Sequence, residues 1–143
     1  MRQRALLLVA AAALAACGGN AASPEAQRAV AWQFARALVE GRAASAQSLL
    51  ADGVDPVVPE LVRRLARPGG VLRSRGKEDE RNQWLFAYFR QVTKPDGSFT
   101  RETGQVVVDL TGGHSPAVRF FGLRNREIAY STHHDAQLMP SKR

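Results

Sequence analysis

Sulfur chemistry is almost missing from this chain: among 143 residues there is one cysteine, Cys17. A lone cysteine excludes an intramolecular disulfide, although exported domains often rely on them. Long apolar runs are missing too. The run Ala5–Leu14 holds 10 residues, half of the roughly 20 that a helix needs to cross a bilayer. Lysine is scarce: only Lys77, Lys94 and Lys142 stand among 20 basic residues, so the positive charge is almost all arginine. No repeat and no excess of proline or glycine interrupts an ordinary globular composition. Such a length allows one domain with a modest core and leaves no room for two.

What is present begins with a targeting segment. Arg2 and Arg4 make a positive n-region, Ala5–Leu14 a short apolar h-region, and Ala15 and Ala16 supply small residues for processing. Residues 1–16 therefore read as a cleaved signal peptide. The tetrapeptide Leu14-Ala15-Ala16-Cys17 resembles the lipobox of bacterial lipoproteins over all four positions. That resemblance implies a diacylglycerol thioether on Cys17, cleavage between Ala16 and Cys17, and in many Gram-negative hosts acylation of the new amino group. Two or more acyl chains hold a protein stably on a membrane, where one is marginal. A secretory signal followed by an incidental cysteine is the competing reading. Gly18 stands where the inner-membrane retention signal of enteric lipoproteins places aspartate, which favours the outer membrane, facing the periplasm, in a Gram-negative host.

The formal charge is +7, and processing removes Arg2 and Arg4 to leave +5. Export and the scatter of basic residues along the chain argue against nucleic acid as a partner. Outside the cytoplasm a basic surface meets anionic envelope components, lipid head groups or wall polymers, or an envelope protein, or simply stays solvated.

The expected organisation is a signal peptide over 1–16, a lipidated cysteine and tether over 17–23, one α+β domain over 24–132 and a polar tail over 133–143. Ser23-Pro24 opens a helix reaching about Glu40. Ala26, Val30, Phe34, Ala37 and Leu38 share one face, with Trp32 and Val39 on the other. Trp32 is expected in core or semi-core packing, with a membrane or partner contact as the alternative. A second helix is expected over Ala43–Leu50 and a third from Asp55-Pro56 or Pro59 to Ala66, its Arg63, Arg64 and Arg67 facing water. Strands follow over Val71–Arg75, Gln83–Thr93, Phe99–Thr111, Ala117–Leu123 and Glu127–Thr132, with hairpin turns at Lys94–Ser98 and Gly112–Pro116. Gln83–Thr93 also fits an amphipathic helix started by Glu78-Asp79-Glu80. The strand is preferred because aromatics suit a half-buried sheet.

Helices followed by an antiparallel meander give an α+β class. The segment Phe34–Leu50, with its aromatic, Ala37-Leu38, Gly41 and closing Leu49-Leu50, resembles the opening of small lipoprotein domains of the nuclear-transport-factor-two-like, or cystatin-like, kind. The Asp96-Gly97 turn between long strands is similar as well. The tryptophan usual in the last strand of that family is replaced by Val118, Arg119 and Phe120. The resemblance implies N-terminal helices on a curved sheet enclosing a cone-shaped cavity, in a binding module or an isomerase or dehydratase.

Fold alone does not settle function. An enzyme would draw on Tyr88, Asp109 and Tyr130 as acid–base residues, but Asp109 alternates with apolar neighbours and is expected to face water. His133, His134 and Asp135, with His114, offer metal-ligand types. Adjacent histidines on a strand diverge, and a frayed tail preorganises nothing. No cofactor or metal site is expected. The sequence points to a membrane-anchored, non-enzymatic binding or adaptor domain, with a cavity enzyme or an accessory subunit of an envelope complex as alternatives.

Overall fold

A computed structural model of the chain describes residues 21–79, 81 and 83–131, the last seven in their backbone alone. The expected signal segment, Cys17 and the tail 133–143 lie outside the described residues.

Helix α1 spans Pro24–Val39. Pro24 fits its first position, and the Ser23 hydroxyl accepts a hydrogen bond from the Ala26 N–H at 3.2 Å. Phe34, Ala37 and Leu38 are buried as expected, but so are Ala31, Ala35 and Val39. The helix is thus covered on two sides, while Ala26, expected on the buried stripe, is exposed in the first turn. Helix α2 is shorter than expected, Ala43–Gln47. The chain leaves it so that Leu49 and Ala51 can pair with a strand: the Val118 N–H donates to the Leu49 carbonyl, and the Ala51 N–H to that of Val118, each at 2.8 Å. Those groups cannot also continue a helix. Helix α3 spans Val57–Leu65, burying Val58 and Val62 and leaving Arg63 and Arg64 exposed.

The strands are β1 (Gly70–Leu72), β2 (Lys77–Glu78), β3 (Gln83–Thr93), β4 (Phe99–Leu110) and β5 (Val118–Ser131). They form an open antiparallel sheet in the order β1-β3-β4-β5, with β2 also paired to β3. The protein is therefore α+β. Gln83–Thr93 is strand and not helix. Glu78 of β2 pairs with Trp84, and the Asp79 carboxylate accepts the Arg81 and Gln83 N–H groups in the turn, so Glu78 and Asp79 start no helix. The two strands expected over 117–123 and 127–132 are one. No glycine or proline lies between Leu123 and Glu127 to break the strand, and the ladder steps from Gly104↔Asn125 to Thr103↔Glu127, absorbing Arg126 as a bulge. A second bulge takes up Arg119 between Leu110↔Val118 and Asp109↔Phe120.

Alternation along β3 sends Trp84, Phe86, Tyr88 and Arg90 to the face covered by helices. Val106, Val108 and Phe121 join them, with Leu110 packed at the margin, and α1 lies across this face. Phe34 meets Phe121 edge to face, ring centroids 5.0 Å apart. Gly70 lets β1 touch the end of α1: a Cβ there would sit 2.3 Å from the Val39 carbonyl oxygen. Among the described residues no helix is long and apolar enough to cross a membrane.

Candidate functional site

Ionisable side chains converge inside the sheet, at the end of the buried β3 stripe. The β3–β4 register sets Arg90 opposite Glu102 and Tyr88 opposite Gly104. The Tyr88 hydroxyl donates to Glu102 Oε1. Arg90 Nη1 lies 3.8 Å from Glu102 Oε2, and its Nη2 donates to the Leu65 carbonyl at 3.3 Å. The guanidinium also sits 5.7 Å from the centroid of the Tyr88 ring. Arg90 is 2% exposed, and its Nε has no hydrogen-bond partner among the described residues. Burial is the main reason the Tyr88 hydroxyl titrates far above the usual tyrosine range, and the Glu102 carboxylate adds to it. Burial pulls Arg90 downward, opposed by Glu102.

This arrangement holds protons in place. Tyr88 is a locked donor and cannot act as a base near neutrality, while Glu102 is engaged by both neighbours. Arg90 ties the last carbonyl of α3 to the sheet, where a cation also suits the negative end of a helix. The cluster therefore joins a helix to a strand pair.

The expected acid–base trio does not assemble. Asp109 is five residues from Gly104 along β4, so it occupies the opposite face from Tyr88. There it is not simply solvated: Arg119, the bulge residue, grips it with Nη2 at 3.1 Å from Oδ1 and 2.9 Å from Oδ2. Tyr130 stands opposite Thr100 in the ladder, and its side chain is outside the description. His114 is exposed in the β4–β5 turn; His133, His134 and Asp135 lie outside the described residues. Among the described residues no three His, Cys, Asp or Glu side chains group to hold a metal ion. Sequence reading missed Arg90 and Glu102. Arg90 had a signal, as the next member of the period-two stripe Trp84, Phe86, Tyr88. Glu102 had none before the register was known.

A second arrangement lies on the outward side of α1. Trp32 is half-buried against the core, with the Arg36 guanidinium 5.1 Å from its ring centroid. A shallow groove beside it is lined by Glu25, Arg28, Ala29, Gln33 and Arg75. Glu40 holds two arginines, Arg36 Nε at 2.7 Å and Arg42 Nε at 2.9 Å. The Arg36 hydrogen bond is the main cause of its lowered pKa, with burial opposing and Arg42 assisting. Arg28 and Arg75 have no carboxylate within ion-pair distance among the described residues.

No protein-family model, curated protein or solved structure matches this chain. The functional reading therefore stands on the residues themselves.

Proposed function

We propose that the protein is a cell-envelope lipoprotein, anchored by acyl chains on Cys17 after removal of residues 1–16, whose domain binds or adapts and does not catalyse. One observation carries this reading: the lipobox residues Leu14-Ala15-Ala16-Cys17 end just before the fold begins. The Ala22 N–H already donates to the Gly113 carbonyl at 2.8 Å, and Gln27 Nε2 donates to the Ala22 carbonyl at 2.9 Å. Only residues 18–21, Gly-Gly-Asn-Ala, separate the lipid attachment point from the first tied residue. The tether expected over 17–23 is thus shortened at its folded end, and four residues reach at most about 14 Å. Gly18 supports an outer-membrane destination, facing the periplasm.

The non-catalytic side of the reading is supported by the internal engagement of Tyr88, Arg90 and Glu102 and by the separation of Tyr88 from Asp109. We also assign the domain to the nuclear-transport-factor-two-like or cystatin-like class. Its support is the helix laid across one sheet face and the bulges at Arg119 and Arg126, which bend a strand and raise its twist.

Metabolic labelling with a clickable fatty acid tests the anchor. Wild-type protein is expected to carry label and to run at the processed size in the membrane fraction. Cys17→Ser is expected to be unlabelled and to keep residues 1–16. Equal labelling of the two proteins would refute the anchor.

A further inference from the structure

We propose that the face of α1 around Trp32 lies on the anionic phospholipid head groups of the membrane that holds the Cys17 anchor, an inference that rests on the lipoprotein reading above. Three observations meet on this face. The first is charge. Arg28, Arg36, Arg42 and Arg75 stand here against two carboxylates, Glu25 and Glu40, and Glu40 is already shared between Arg36 and Arg42. Arg28 and Arg75 have no carboxylate within ion-pair distance among the described residues, and a guanidinium fork matches a phosphate. The second is Trp32, an amphipathic ring at the centre of the arginines, of the kind that sits at head-group level.

The third is position. Ala22 is tied to Gly113 in the turn joining β4 to β5, so α1 starts where the tether arrives. Trp32 lies eight residues into the helix, about 12 Å along its axis. The basic residues of α3 sit elsewhere. The end of that helix is held by Arg90, whose partner Glu102 is eight residues along β4 from Leu110, about 26 Å away. A short tether also changes what affinity is needed. It keeps the domain at a high local concentration over the bilayer, so contacts too weak to recruit a free protein suffice to orient an anchored one.

Intrinsic fluorescence of the processed protein in vesicles tests this. Trp84 is 5% exposed and shielded in any orientation, so changes in acrylamide quenching report Trp32; loss of the change in Trp32→Phe verifies that source. In phosphatidylcholine vesicles Trp32 is expected to be open to acrylamide. With phosphatidylglycerol added it is expected to be protected and quenched by lipids brominated near the head group, and high salt is expected to reverse this. Arg28→Gln with Arg75→Gln should lower the docked-to-undocked ratio about fivefold per charge, while Arg63→Gln with Arg64→Gln on α3 should change it little. Both pairs lie at the surface, and unchanged circular dichroism verifies folding. Equal accessibility in both vesicles overturns the proposal, as does an α3 pair that matters as much as the α1 pair. The mass of the same preparation reports acyl chains on Cys17. An unacylated chain refutes the anchor itself, whereas an acylated chain with Trp32 fully accessible refutes only the surface.

Discussion

Arg90 occupies a position where sheet alternation demands an apolar side chain, and it is kept there by three different contacts. Its ion pair with Glu102 is long, at 3.8 Å, so much of its compensation comes from the Leu65 carbonyl and the Tyr88 ring. Removing the carboxylate leaves a buried cation without a counter-charge. Glu102→Ala is therefore expected to cost about 3 kcal/mol in urea melts. The triple change Tyr88→Phe, Arg90→Met, Glu102→Leu should cost less, because it leaves no polar orphan. A triple variant weaker than the single one would show the cluster to be net stabilising. Tyr88 also sets a pH dependence. Unfolded tyrosine titrates near pH 10, and folded Tyr88 holds its proton well above that. Below about pH 10 both states are protonated and its contribution is fully present; above it only the unfolded chain releases the proton, so stability falls as pH rises. Urea midpoints at about pH 8 and pH 11 should show this loss in wild type and a smaller one in Tyr88→Phe.

At the scale of elements, α1 and β5 show how far periodicity reaches. The stripe containing Phe34 and Leu38 and the alternation Val106, Val108, Leu110 were both legible, and they do face each other. Val118 and Phe121 are both buried although three residues apart, which no strict alternation predicts. The Arg119 bulge supplies the extra residue, turning Arg119 toward Asp109 and leaving Phe120 exposed. The burial difference between Phe34 and Trp32 is open to measurement. Phe34→Ala removes a fully enclosed ring and is expected to cost about 3–5 kcal/mol. Trp32→Ala removes a half-buried ring and a cation–π contact of about 1 kcal/mol, and should cost clearly less. Urea melts of the two variants compare them directly. If Trp32→Ala were the more damaging, the buried face of α1 would be misassigned.

For the molecule as a whole, one core formed by α1, the inner sheet face and the short helices carries the stability. The described residues contain no disulfide and no cluster of metal-ligand side chains. Thermal melts with and without a chelator are expected to coincide. A drop of many degrees with chelator would bring His133, His134 and Asp135 back as ligands. The same scale joins anchor and domain. With the acyl anchor proposed on Cys17, tying Ala22 to the β4–β5 turn would leave four residues between bilayer and fold, which would limit the domain's orientation on the membrane from the start.

By itself the sequence determined what depends on neighbours along the chain. The charged, apolar and small residues before Cys17 carry the proposed targeting pattern. Ser23-Pro24 determines where α1 opens, and the Asp96-Gly97 turn where β3 gives way to β4. The α+β class follows from a change of hydrophobic period. Only the tertiary structure decided which distant residues meet. A ladder must be in register before Glu102 can face Arg90, and bulges change that register by single residues, reversing which face a side chain takes. Pairing with the start of β5 ended α2 early, because the backbone groups at Leu49 and Ala51 were used across the chain. Those outcomes rest on contacts between segments tens of residues apart, which local propensity does not encode.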